Sequence, residues 1–285
     1  MSAQLEVVDV RGLVLVQDAG RPGHMHEGVP PGGALVPEWL AAAQRAVGNG
    51  AEAAGLECYG RMELRVLGRG AWVSVGGEAF RVEDGERFQV PAPERGVVRY
   101  VAVDGGLDVP RALGGRGTLL VARLGGWEGR VLARGDVLPL GGEGGGARCP
   151  PTEVVSWTDE VRVVLGPEPG RFGAGAAEAL LSSVFTVSPI SNRVGMRLRG
   201  PRLPVTDSGE ALSGPMVRGA LQVPVSGEPI VLGPDHPTLG GYPVLAVVIR
   251  ADWGRLAARR PGDSVRFRAV GVEEARALWR RPGLV

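Results

Sequence analysis

Asp235 and His236 stand side by side in the stretch GPDHPTLGGYP (233–243), with Thr238 and Tyr242 close behind. The chain has only three histidines and three tyrosines, so two such residues on one connection are unusual. The stretch joins two apolar runs, EPIVL (228–232) and VLAVVI (244–249), and a link between buried strands needs only Gly and Pro. Asp and His can move protons, which makes Asp235 and His236 the candidate catalytic groups. Gln222 precedes them in GALQVPVSGEP, and Asn192 and Arg193 sit in VSPISNRVGMRLRGPRL. Gln17, Asp18 and Arg21 open VQDAGRPGHMHEGVPPGG, while Asp108 and Arg116 follow the glycines of YVAVDGGLDVPRALGGRGT. Four loops thus place Gly beside an acid, an amide or an Arg where a strand ends. A β scaffold gathers polar groups around a small carboxylate- or amide-bearing ligand in this way. Arginine grips a carboxylate through two parallel hydrogen bonds, so Arg193 and Arg21, with Asn192, are candidates for holding a substrate carboxylate. Gln222, Tyr242, Thr238 and Asp18 complete the candidate binding set. Each loop taken singly is as well explained by structure, for instance by an Asp18–Arg21 pair pinning a long connection.

Other chemistries are closed. There is no GxSxG, HExxH, paired CxxC or dinucleotide fingerprint after a strand. His24 and His26 have a spacing that can serve a metal, but only Cys58 and His236 remain as soft partners; solvated loop histidines and no metal are expected. The 32 basic residues include no lysine, which removes a P-loop lysine, a Schiff base and a biotinyl-lysine from these residues. Basic and acidic side chains balance to a net charge of +1 without a basic stripe, so no nucleic-acid partner is expected. Apolar runs fall far short of the roughly 20 residues a membrane span needs, and the N-terminus lacks a signal-peptide pattern. A cytoplasmic protein with no membrane partner is the expectation. Cys58 and Cys149 read as one core thiol and one loop thiol.

The elements that must position these residues are mostly strands. Glycine (47) and proline (23) punctuate short apolar bursts, the pattern of many strands joined by turns. Strands are expected at 5–10, 13–17, 62–67, 71–75, 87–90, 97–103, 118–124 and 161–166. Helices are expected at 37–50, with Pro37 in the first turn and Leu40, Ala43 and Val47 on one face, near 174–184, at 251–263 capped by Asp252, and at 271–281. DGERFQV (84–90), RGDVLPL (134–140) and PGDSVRF (261–267) each run Gly, acid, then alternating apolar positions. That reads as one kind of turn feeding a strand. GGEGGGARCPPTE (141–153) reads as a linker, separating β units at 1–142 and 154–285, with the linker proper at 143–153.

The loops resemble the allophanate hydrolase subunit 2 family, also called 5-oxoprolinase C subunits, KipA or biotin-dependent carboxyltransferase proteins. The matching stretches are VQDAGRPG…GVPPGGA, AVGN, AVDGGLDVPRALGGRGT, GRVLARGDVL, SNRVGMRLRGP, VRGALQVPVSGEPIVLGPDHPTLGGYPVLAVV and RRPGDSVRF. They cover nearly the whole chain in order. The resemblance implies an all-β fold with a few short helices, built of two cyclophilin-like β-barrel units. It also implies two partners, KipI-like (B-type) and A-type subunits, and ATP-dependent opening of 5-oxoproline or a similar lactam by the complex. Two alternatives come with it: transfer of a carboxyl group to urea from carboxybiotin on a separate carrier, and non-catalytic regulation through the KipI-like partner. The chain departs from the family pattern at Val36, where an acid is usual, and at Gly115 and Gly117, where a Ser or similar is expected. His236-Pro237 replace an Arg-Gln pair. Gly214 stands in place of a Glu, which weighs against direct transfer of the urea carboxylase mechanism.

Overall fold

The computed structural model describes residues 3–142, 145–149, 157–166, 168–206 and 213–280. The chain divides into two compact units, Met1–Pro22 with Gly32–Val154 and Gly23–Pro31 with Val155–Val285. The short stretch 23–31 therefore belongs to the second unit, although the first unit supplies the chain on both sides of it.

The first unit contains β1 (Gln4–Arg11), β2 (Val14–Gln17), β3 (Gly55–Cys58), β4 (Arg61–Leu67), β5 (Ala71–Val75), β6 (Glu78–Val82), β7 (Arg87–Val90), β8 (Arg99–Val103) and β9 (Val137–Pro139). They form two sheets, ordered β7-β4-β1-β9 and β2-β3-β8-β5-β6. Alternation decides which side faces in: Met62, Leu64 and Val66 of β4 are buried, and the residues between them are more exposed. Leu5, Val7, Leu56, Leu64 and Leu138 share one core, each stabilising the unit by roughly 1.5–3 kcal/mol. Helix α1 (Pro37–Ala46) starts at Pro37 and buries Leu40 and Ala43, as its periodicity requires.

The second unit closes. β10 (Glu160–Leu165), β11 (Phe185–Val187), β12 (Gly195–Arg199), β14 (Ala220–Gln222), β15 (Ile230–Leu232), β17 (Val244–Val248) and β18 (Ser264–Ala269) form a barrel ordered β10-β17-β14-β15-β12-β11-β18, and the remaining pair, β13 (Gly214–Pro215) and β16 (Leu239–Gly240), makes a small ribbon beside it. Closure comes through β18 running parallel to β10, where Glu160 to Val163 pair with Arg266 to Ala269. Val161, Val163, Leu180, Phe185, Leu221 and Val265 fill the interior. The helices of this unit are α2 (Ala176–Ser182), α3 (Trp253–Ala257) and α4 (Val272–Trp279). The all-β expectation with a few short helices therefore holds.

The repeated turn is one device used three times. Gly85, Gly135 and Gly262 have φ of 78°, 90° and 91°, a region open to glycine at little cost. The acid that follows each one reaches back to a backbone N–H: Glu86 to Glu83 at 2.8 Å, Asp136 to Ala133 at 2.7 Å and Asp263 to Arg260 at 2.8 Å. β7, β9 and β18 begin at the next residue.

Two expectations are corrected. Residues 118–124 are not a strand: Leu120–Ala122 make a single 3₁₀ turn that bridges Leu119 to Leu124, and Arg123 has a φ of 49°. The apolar run there finds no partner strand, and Val121 is 83% exposed. Asp252 precedes α3 but makes no side-chain cap. Its carboxylate, 0% exposed, instead accepts from the Arg162 backbone N–H at 2.7 Å and from the Arg162 Nε at 2.9 Å, which ties α3 to β10. In the expected linker, Gly146 and Cys149 donate to the Gly48 and Arg45 carbonyls at 3.2 and 3.1 Å; residues 143, 144 and 150–153 lie outside the described set. Cys58 is buried and Cys149 exposed, both free.

Replacing Asp252 with Ala leaves the Arg162 guanidinium without its buried partner. We expect a loss of about 3 kcal/mol in urea-induced unfolding, and a change under about 0.5 kcal/mol, as at an ordinary surface site, would contradict the bracing role.

Candidate functional site

The loop 233–243 is held from beneath by an ion pair. Arg193 donates from Nε and Nη2 to the two carboxylate oxygens of Asp235, at 2.7 and 2.9 Å, and both residues are buried. Backbone bonds repeat the link: Gly233 N–H to Val194 O at 2.9 Å and Asp235 N–H to Arg193 O at 3.1 Å. Asn192 shapes the turn that delivers Arg193, its Oδ1 accepting from the Val194 and Gly195 N–H groups at 2.9 and 3.2 Å. Farther along, the Thr238 carbonyl accepts from Met216 N–H at 2.9 Å, and Gln222 Nε2 donates to the Tyr242 carbonyl at 3.3 Å. The Tyr242 ring is left 51% exposed. Of the candidate residues in this unit, Arg193, Asp235, Asn192, Gln222 and Thr238 all serve to shape the loop.

His236 is different. It is 1% exposed, and its Nδ1 lies 2.8 Å from the Pro237 carbonyl. A carbonyl only accepts, so the proton sits on Nδ1 and the lone pair on Nε2. Nε2 is buried and makes no hydrogen bond. Burial is the main influence and pushes the pKa below its ordinary value; the Pro237 hydrogen bond opposes it, the Arg218 charge adds to it and the Asp235 charge opposes it. The imidazole is therefore neutral at pH 7 with a free acceptor.

His236 also lines a cleft of about 610 Å³ within the second unit, a size suited to a small molecule. Val164, Val247 and Val248 of the barrel form its floor, and Ala275 and Trp279 of α4 one side. Met25 and Pro31 of the stretch 23–31 contribute as well. Its cationic groups are Arg218, Arg250 and Arg276, and none of its lining residues is acidic among those described. Trp253 is locked in place by donating from Nε1 to the Val248 carbonyl at 3.3 Å. Gly219, with φ of 87°, makes room for it, since a Cβ there would lie 2.8 Å from that Nε1.

Asp18 and Arg21 lie in the first unit and are bound to a neighbouring loop. Asp18 accepts from the N–H groups of Gly20, Arg116 and Gly117, and Arg21 donates to the Gly117 carbonyl. Asp18 thus pins the connection through backbone donors. The same packing accounts for two departures from the family pattern. A Cβ at Gly115 would sit 2.8 Å from the Gly20 carbonyl oxygen, so a serine does not fit there without moving backbone, and one at Gly117 would sit 2.6 Å from Gln17 Oε1, so the Gln17 side chain would have to shift. Val36 is fully buried and its N–H donates to the Tyr100 hydroxyl, a place where an acid would be desolvated. Gly214 is unlike these, with no described residue within 4 Å of where its Cβ would lie.

Reading loops alone passed over Arg218, Arg250, Trp253, Arg276 and Trp279. A signal was present: RADW (250–253) and RALW (276–279) repeat an Arg-Ala-x-Trp spacing that sets both side chains on one helical face. His24 bonds to Glu27 at 2.7 Å, and no cluster among the described residues could hold a metal ion. No helix among them is long and apolar enough to cross a membrane.

Known proteins share both the sequence pattern and the fold. A family model described as the carboxyltransferase domain, subdomains A and B, matches residues 27–269. The 5-oxoprolinase C subunit of Escherichia coli K12 is 35% identical, the match covering 95% of this chain and 93% of that protein. The 5-oxoprolinase C subunit of Haemophilus influenzae is 30% identical over 97% and 94%. Among solved structures, the K. lactis urea amidolyase superposes with a TM-score of 0.88 at 27% identity over 96% of this chain. This chain spans only 19% of that much longer one.

The buried imidazole has a pH signature. His236 titrates near the ordinary value of about 6.5 when unfolded and lower when folded. The unfolded state therefore binds more protons between the two values, and the contribution to stability is full above about 6.5 and lost as pH falls through the folded pKa. Melting temperatures of wild type and His236→Asn, measured from pH 8 down to pH 5, should converge as pH drops. A constant gap would place the imidazole in a solvated setting.

Proposed function

The chain belongs to the carboxyltransferase-domain family of subdomains A and B, and from that premise we propose that it acts as the C subunit of a 5-oxoprolinase-like complex. In this reading the substrate is 5-oxoproline or a similar small cyclic amide, opened with ATP in an assembly with KipI-like (B-type) and A-type subunits. The observation that carries it is the neutral, buried His236 with its unpartnered Nε2 in the wall of the cleft. Opening a lactam with water breaks the ring C–N bond, places hydroxyl on the carbonyl carbon and puts one proton on the departing nitrogen. An imidazole with a free lone pair takes that proton from water and returns it to nitrogen. Asp235, fixed by Arg193, holds the backbone from which His236 projects. Asn192, Gln222, Thr238 and Tyr242 shape the rest of the loop, and Asp18 with Arg21 orders its counterpart in the first unit.

The residues fit ATP poorly, because they include no lysine and no phosphate-cradling glycine loop; ATP is held by the other subunits. A second reading is favoured by the family description and the urea amidolyase fold: carboxyl transfer to urea or a urea-like amide. No lysine here can carry biotin, so carboxybiotin arrives on a separate carrier.

The test is co-purification with the KipI-like and A-type subunits, followed by ATP hydrolysis and glutamate formation with and without 5-oxoproline. We expect hydrolysis that depends on 5-oxoproline and falls roughly 100-fold or more in kcat for His236→Ala. Full activity in that variant would remove His236 from the chemistry. Carboxylation of urea from carboxybiotin, without lactam-dependent hydrolysis, would establish the second reading. A stable complex with neither activity would leave a regulator.

A further inference from the structure

We propose that the stretch Gly23–Pro31 is a hinged lid on the cleft, and that His236 Nε2 reaches a ligand only when this lid lifts. That His236 has a ligand to meet rests on the function proposed above; the freedom of the lid rests on its own hydrogen bonds.

An acceptor atom as deeply buried as Nε2, on a residue 1% exposed, touches a small molecule only after part of the wall gives way. The wall elements differ in what holds them. Val247 and Val248 sit in the ladders that β17 makes with β10 and β14. Gly219 donates to the Leu232 carbonyl at 2.8 Å and accepts from the Val248 N–H at 2.9 Å. Helix α4 packs Ala275 and Leu278 against Ile249 and Val270. The stretch 23–31 has nothing comparable, because its hydrogen bonds are all internal. Glu27 and Val29 donate to the His24 carbonyl at 3.0 and 3.2 Å, Gly28 donates to the Met25 carbonyl at 3.0 Å, and His24 Nδ1 lies 2.7 Å from the Glu27 carboxylate. No hydrogen bond or ion pair joins it to any other described residue. It meets the cleft through Met25 and Pro31.

The flanking chain is held in the opposite way. Before the stretch, Asp18 accepts from three backbone N–H groups and Arg21 donates to the Gly117 carbonyl. After it, Ala34, Leu35 and Val36 donate to the Asp18 carbonyl, the Glu57 carboxylate and the Tyr100 hydroxyl at 3.1, 2.7 and 2.9 Å. Between these anchors stand Gly23 and Gly32, with φ of 98° and 63°. No described atom lies within 4 Å of where a Cβ would stand on Gly23. Glycine turns through such angles at little cost, so the two positions serve as hinges. Segments with few outside bonds open at free energies far below that of global unfolding. The turn Met25–Glu27 keeps its internal bonds as it moves, so lifting it breaks only van der Waals contacts.

Diethyl pyrocarbonate acylates the unprotonated nitrogen of a neutral imidazole, so it reads access to Nε2 without assuming a substrate. Labelling of the chain at neutral pH is followed residue by residue by peptide mass spectrometry. His26, with a side chain 75% exposed, is the control on reagent and fold. A lid open for a minor fraction of the time slows labelling of His236 by roughly 10- to 1,000-fold relative to His26. That rate should stay nearly flat across sub-denaturing urea, since lifting a short strap exposes little surface. Met25→Ala, which removes a contact, should raise the His236 rate about threefold or more. Two glycines inserted between Pro22 and Gly23, which add slack and remove no contact, should raise it as well. His26 labelling and the melting temperature should stay unchanged in both. His236 labelling as fast as His26 in wild type, labelling unmoved by both changes, or labelling that climbs with urea in step with global unfolding would overturn the proposal. Lid-dependent labelling in a protein whose complex opens no lactam would keep the lid and discard the proposed reaction. Lactam opening alongside lid-independent labelling would do the reverse.

Discussion

The ion pair between Arg193 and Asp235 is the constraint on which the candidate site depends. A buried guanidinium and a buried carboxylate are tolerated only when each satisfies the other, so the turn at 192–195 and the loop at 233–243 must meet in a single register. The backbone bonds from Gly233 and Asp235 to the same turn follow from that register. His236 then has little choice of position. Its neighbour is fixed on one side, its own Nδ1 is engaged by Pro237 on the other, and its remaining nitrogen is left without a partner. The position of the candidate group is thus set by a pair that need not react.

The barrel supplies the second constraint. β17 carries Val247 and Val248 into the cleft floor, and Gly219 lets the Trp253 indole approach the strand closely enough to bond to it. Strands below and a short helix beside them fix one part of the cavity, and the loop carrying His236 and the stretch with Met25 and Pro31 complete it.

Much of the scaffold was legible in the sequence, and the reasons differ by element. The three Gly-acid turns were readable because glycine conformation and carboxylate capping act over four residues and ignore the rest of the fold. The helix at Pro37 and the alternating strand at 61–67 announce themselves through period and are confirmed by which residues are buried. Residues 118–124 misled because an apolar run shows only that side chains could be buried, whereas a strand also requires a partner edge. Asp252 misled for a related reason. Its place before a helix suggests a cap, but Arg162, far away in sequence, competes for the carboxylate and wins. The site was half visible. Scarce side chains marked His236, whereas the cleft draws on residues near 25, 164, 218, 250 and 279, and only the repeated Arg-Ala-x-Trp spacing hinted at their common role.

The stretch Gly23–Pro31 has an implication for how such a protein can change over evolutionary time. Because the barrel's own unit includes a short segment encoded well upstream, no single crossover in the gene transfers that unit intact. A recombination joint near residue 154 would carry away the seven closed strands yet leave behind Met25 and Pro31, which finish the cleft wall. Moving the barrel unit intact would take further joints on either side of residues 23–31.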